Sequence, residues 1–173
     1  VDAAALSPLE VERSLALSRD TLGRPPMKLL EIVRRVGLLT GGAPTAIVGG
    51  VAQMLWARKT FTDDIDLALA HGDLRGALEA VRAGTSPRGW ALPTPPDRAH
   101  EEDDVFEVAH LLFEGVVVDL LSFRVAALTD AIIVRSIRIP ELGGLPFVSP
   151  ELLLVTHLLR PGTRGAIAAL ELV

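Results

Sequence analysis

Aspartates set inside apolar, strand-like runs constrain this chain more than any other feature. Asp63, Asp64 and Asp66 stand in Thr62-Asp63-Asp64-Ile65-Asp66-Leu67-Ala68-Leu69, and Asp119 interrupts Val116-Val117-Val118 and Leu120-Leu121. An ionised carboxylate taken out of water without a partner is strongly unfavourable, so these positions require a compensating group. In an extended strand residues i and i+2 project from one face, which sends Asp64 and Asp66 to one side and Ile65 and Leu67 to the core. Two neighbouring carboxylates repel each other unless a cation sits between them. A hard oxygen set of this kind suits Mg²⁺ or Mn²⁺, and Mg²⁺ keeps waters and substrate phosphates as its remaining ligands. Asp119 finds its simplest partner in the same cation site. Three carboxylates on neighbouring strands are able to hold two ions about 4 Å apart, one to activate an attacking oxygen and one to stabilise a leaving pyrophosphate.

The 173 residues, 49% hydrophobic and 23% charged, suit one domain over residues 1–173, with 1–26 as an N-terminal extension and 149–173 as C-terminal helices. With no cysteine, disulfide frameworks and thiolate metal sites are excluded. The net charge of −5 is concentrated in the middle: residues 61–130 carry 5 basic and 14 acidic side chains, against 8 and 5 in residues 1–60 and 4 and 3 in residues 131–173. That balance argues against nonspecific nucleic-acid binding, which needs a basic face. The apolar runs fall well short of the roughly 20 residues of a membrane span, and no signal-peptide pattern is present, so a cytoplasmic, soluble protein without a membrane partner is expected.

Periodicity predicts an α/β (α+β) fold. Met27 to Val36 places Leu29, Leu30, Val33 and Val36 on one helical face, with Gly37 as its end. Thr45 to Val48 reads as a short buried strand that meets Gly49-Gly50 and then a helix over Val51 to Arg58. Asp64 to Leu69 alternates as a strand, Asp73 is expected to cap a helix from Leu74 to about Ala83, and residues 84–104 read as a long loop. Glu101, Glu102, Asp103 and Asp104 then belong to an exposed part of that loop. Val105 to Phe113 and Val116 to Phe123 form a hairpin about Glu114-Gly115. A two-residue turn there pairs Phe113 with Val116 and places His110 directly across from Asp119. Ala131 to Ile139 and Leu145 to Val148 are further strand candidates about Gly143-Gly144, and Ser149-Pro150-Glu151 opens a last helix.

Gly49-Gly50 supplies a second half of a site. At the start of a helix its backbone N–H groups and positive dipole end suit phosphate oxygens, and glycine allows close approach. A triphosphate held between this turn and the aspartates is the consequence. His157, Trp56 and Trp90 read as packing residues, and His71 and His100 fall in turns or loops without a role. No P-loop, nucleophile elbow or His-Glu-x-x-His is present.

The run Ile47-Val48-Gly49-Gly50-Val51-Ala52, then Thr62-Asp63-Asp64-Ile65-Asp66-Leu67, then Val118-Asp119-Leu120-Leu121 resembles the DNA polymerase β-type nucleotidyltransferase superfamily, and within it the small bacterial AbiEii/AbiGii toxin-like proteins. The resemblance covers roughly residues 28–170 and implies a short mixed β-sheet flanked by helices. It also implies that Gly49 and Gly50 hold nucleotide phosphates, with Arg58, Lys59 and Thr62 beside them, and that Asp64, Asp66 and Asp119 hold Mg²⁺ or Mn²⁺. The implied activity moves an NMP from an NTP to an acceptor hydroxyl on a protein, a tRNA or a small molecule, releasing pyrophosphate, with a toxin or antitoxin as cognate partner. The rival expectation is a noncatalytic, antitoxin-like binding or regulatory module on the same fold. The sequence departs from the relatives at Thr60, where they often carry Arg, at His157, where they tend to have Lys, and at Thr163 and Ala166, where they have acidic residues.

Overall fold

A computed structural model describes residues 7, 9–11, 13–14, 29–57 and 62–159. The chain forms one mixed sheet flanked by helices, the architecture expected. In chain order the described elements are α1 (Leu29–Leu39), β1 (Ala46–Ile47), α2 (Gly49–Trp56), β2 (Asp64–Ala68), α3 (His71–Arg82), β3 (Trp90–Ala91), β4 (His100–Glu102), β5 (Phe106–Phe113), β6 (Val116–Phe123), α4 (Ala126–Val134), β7 (Ile137–Ile139), β8 (Leu145–Phe147) and α5 (Pro150–Leu159). The sheet order is β3-β5-β6-β2-β1-β8-β7, with β4 also paired to β5. Strands β2 and β6 run parallel, as do β1 and β8, while the remaining pairs are antiparallel. No described helix is long and apolar enough to cross a membrane.

Apolar alternation along β2 and β6 builds the core. Ile65, Leu67, Val118 and Leu120 are fully buried, and they share one sheet face because Ile65 pairs with Val118 and Leu67 with Leu120. The β5–β6 hairpin closes on Glu114 and Gly115, with φ of 48° and 80°. Both values are positive, as in a type I′ turn, whose twist matches that of the flanking strands. The expected register follows, with Phe113 opposite Val116 and His110 opposite Asp119. Trp90 packs on Phe113 with ring centroids 5.1 Å apart, and Trp56 donates its indole N–H to the Val148 carbonyl at 2.8 Å. Both tryptophans are packing residues, as expected.

Several local expectations are corrected. Helix α1 runs past Gly37 to Leu39 and buries Leu29, Ile32, Val36 and Leu39, a stripe rotated from the one expected. Its end comes at Gly41 and Gly42, which take positive φ. Helix α2 starts at Gly49 rather than Val51. Helix α3 starts at His71, without a side-chain cap, and Asp73 lies in its first turn, where a carboxylate still favours the helix dipole. Residues 84–104 are not a structureless loop: β3 and β4 lie along β5 and satisfy its outer edge. Ala131 to Val134 is helical, not extended. Its β-branched run reads as strand locally, yet packing of Ile132 and a hydrogen bond from Phe123 N–H to Thr129 Oγ1 at 2.9 Å hold it against the sheet.

Glu107 is a wholly buried carboxylate on the sheet face covered by α3. Its Oε1 accepts from Arg75 Nε at 2.8 Å and lies 2.7 Å from His100 Nε2, while Oε2 meets His71 Nδ1. Burial alone pushes the Glu107 pKa up, but His100, Arg75 and His71 together outweigh it and hold the group below its ordinary value of 4.5. A lowered folded-state pKa stabilises the fold above the unfolded value and loses that contribution as pH falls toward the folded one. Glu107→Gln in metal-free buffer is therefore expected to cost about 2 kcal/mol at pH 7. The deficit relative to the parent should shrink below pH 4.5, and urea melts at pH 7 and under acid check both statements.

Candidate nucleotide and metal site

Strands β2 and β6 bring the three aspartates together because they pair in register. Asp66 lies opposite Asp119 and Asp64 opposite Val117, so all three carboxylates sit on the face away from α3. One oxygen from each lies within 4.8 Å of the others. Asp66 is buried and the other two are half-buried. Such an oxygen set fits Mg²⁺ or Mn²⁺, since the donors are hard carboxylates and exposure on one side leaves room for waters and phosphate.

Each carboxylate also has its own protein donor. The Gly50 backbone N–H donates to Asp66 Oδ2 at 3.1 Å, and Thr62 Oγ1 donates to Asp64 Oδ1 at 2.6 Å. His110 Nδ1 lies 2.8 Å from Asp119 Oδ1. That hydrogen bond raises the His110 pKa above its ordinary value, against the lowering effect of burial, and the charges of Asp119 and Glu101 add to the rise. His110 Nε2 is buried without a hydrogen bond and faces Glu101 Oε1 at 3.8 Å.

The glycine turn adjoins this cluster. Val48 N–H donates to the Asp66 carbonyl at 3.0 Å, which ties the α2 entrance to β2. Gly49 takes φ of +56°, and a Cβ there would fall inside the Asp66 side chain, 2.8 Å from its Cβ and closer still to the carboxylate. Glycine is thus required twice, by backbone conformation and by proximity to Asp66. The Gly50 N–H expected to stand open for phosphate is instead engaged with Asp66. Arg58 and Lys59 lie outside the described residues.

His71, His100 and Glu107 were not among the expected site residues, although the structure joins them. The signal for Glu107 was the same one that exposed Asp119: an acid within an otherwise apolar strand, Val105 to Phe113. His71 and His100 carry no such signal, because nothing in the local sequence marks the helix start at one or the edge strand at the other.

No protein-family model matches the chain, and no curated protein matches it in sequence. Among solved structures it is similar to the crystal structure of ANT(2")-Ia in complex with adenylyl-2"-tobramycin, at 14% identity and a TM-score of 0.45, over 84% of this chain and 88% of that one.

Gly49→Ala is expected to cost at least the roughly 1–2 kcal/mol of a left-handed non-glycine residue, plus displacement of Asp66. Asp66→Ala in that background should recover part of the loss. Urea melts of the two single variants and the double variant measure the coupling, expected at about 1 kcal/mol or more.

Proposed function

We propose that the chain is a Mg²⁺-dependent nucleotidyltransferase. It moves an NMP from an NTP to an acceptor hydroxyl: the acceptor oxygen bonds to the α-phosphorus, the bond from that phosphorus to the bridging oxygen of the leaving group breaks, and pyrophosphate departs. The observation that carries this reading is the convergence of Asp64, Asp66 and Asp119 beside the Gly49-Gly50 turn. The residue pattern that resembles the polymerase β-type superfamily supports it, because the three motifs fall on the elements that make this convergence.

In this reading Asp64, Asp66 and Asp119 would hold one or two Mg²⁺ ions, which neutralise charge on the phosphates and lower the pKa of the attacking oxygen when bound. Thr62 fixes the Asp64 carboxylate and His110 fixes that of Asp119. Gly49 leaves the α2 entrance bare of side chain, so phosphate oxygens approach the backbone. Gly50, Arg58, Lys59 and Thr62 complete the proposed nucleotide contacts, and the acceptor is a protein, a tRNA end or a small molecule. A toxin role with a cognate antitoxin follows from the AbiEii/AbiGii-like motif alone.

The second reading is a noncatalytic, antitoxin-like module. The Gly50 N–H already donated to Asp66 favours it, since that amide is not open to a phosphate in this conformation. Thermal shift with each NTP, with and without Mg²⁺, separates the two. A ligand at about 100 times its Kd stabilises by about 2.7 kcal/mol, worth about 5–10 °C for a chain of this size. The shift should require Mg²⁺ and vanish in Asp64→Asn and Asp66→Asn, whose metal-free melting temperatures stay near or above the parent's because a repulsive charge is gone. No shift with any NTP would leave the noncatalytic reading standing.

A further inference from the structure

On the sheet face opposite the aspartates, β4 and β5 pair so that Glu102 lies directly across from Glu107 and His100 across from Ala109. Alternation then puts His100, Glu102 and Glu107 on one face, under the first turn of α3. One donor atom from each of His100, Glu102 and Glu107 lies within 4.8 Å of the others. His71 Nδ1, at the start of α3, meets Glu107 Oε2 and brings a second imidazole to the group.

Like charges directly opposed across a strand pair destabilise it, and here one of the two is wholly buried. The cation now facing both is Arg75, whose Nε lies 2.8 Å from Glu107 Oε1 and whose Nη2 lies 3.4 Å from Glu102 Oε2. Arg124 also pairs with Glu102. Arg75 is 48% exposed, so its guanidinium can leave for solvent without losing much packing. The Arg75 and His100 contacts both fall on Glu107 Oε1, whereas the buried Oε2 faces His71 Nδ1. A buried carboxylate with an imidazole nitrogen at each of its oxygens, and a second carboxylate directly across the strand pair, is a donor set that a metal ion can bring together.

We propose that His71, His100, Glu102 and Glu107 form a second metal site, distinct from the aspartate cluster and selective for a zinc-like ion. Two imidazole nitrogens and two carboxylates match the four-coordinate preference of Zn²⁺, with ligand distances of about 2.0–2.2 Å. Imidazole donors disfavour Mg²⁺, which prefers oxygen. Arg75 is the exchangeable counter-cation: it neutralises the two glutamates without metal and moves out to solvent when the ion binds. A cavity of about 260 Å³ lined by His71, Ser122 and Arg124 among others gives solvent a route to this end of the cluster. The ion joins α3 to the β4 edge, which otherwise rests on short pairing with β5.

The test uses the full chain carrying Asp66→Asn and Asp119→Asn, which disables the aspartate site, and ZnCl₂ as the only added ligand. Calorimetry and native mass spectrometry should find one zinc per chain, and Co²⁺ in its place should give the visible absorption of a four-coordinate site. His100→Gln, a change at a half-buried position, should weaken binding by at least the roughly tenfold that loss of an outer-shell partner costs. Arg75→Gln should tighten it by removing the competing cation. Absence of zinc from the folded aspartate variant overturns the proposal, as does an affinity unaffected by His100→Gln. Circular dichroism of each variant confirms the fold, and His71→Gln, at the more exposed imidazole, repeats the test if His100→Gln does not fold.

Discussion

The parallel pairing of β2 with β6 sets Asp66 and Asp119 side by side, and the surrounding structure has to answer the repulsion this creates. Two unit charges about 4 Å apart repel by about 4 kcal/mol at an effective dielectric constant of 20. The structure offsets that repulsion with one donor per carboxylate: a backbone amide for Asp66, a hydroxyl for Asp64 and an imidazole for Asp119. These donors come from the α2 entrance, the approach to β2 and the β5 strand. Organising three carboxylates therefore draws in most of the central sheet.

The part of this arrangement legible in the sequence was the part with a local signature. Asp-x-Asp in an alternating strand, an aspartate inside a valine-leucine run and a Glu-Gly turn each carry their geometry within a few residues. The hairpin register was accordingly countable, down to His110 facing Asp119. What was not legible depended on partners far along the chain. Residues 84–104 look like a loop until β5 supplies an edge to pair with, and Ala131 to Val134 looks like a strand until the sheet offers a surface for Ile132. The engagement of Gly50 N–H by Asp66 joins residues 16 apart in sequence, a contact no motif announces.

The sheet also keeps its charges apart. Aspartates occupy one face and the Glu107 cluster the other, with the sheet backbone between them and the buried Ile65, Leu67, Val118 and Leu120 on the Glu107 side. Alternation along β5 alone assigns His110 to the first group and Glu107 to the second. A single-residue slip of that strand would exchange the two, so the same register serves both clusters.

Strand β1 has a different consequence. Only Ala46 and Ile47 join the β2 side of the sheet to β8 and β7, after which the chain turns at once into α2. The sheet is thus two panels with a narrow seam, and the glycine turn and the aspartates stand together on the β2 side of it. What stitches the panels is α2 itself: it leaves from the glycine turn, and at its far end Trp56 holds the Val148 carbonyl just past β8, so the helix that opens beside the aspartates also buttons down the C-terminal third.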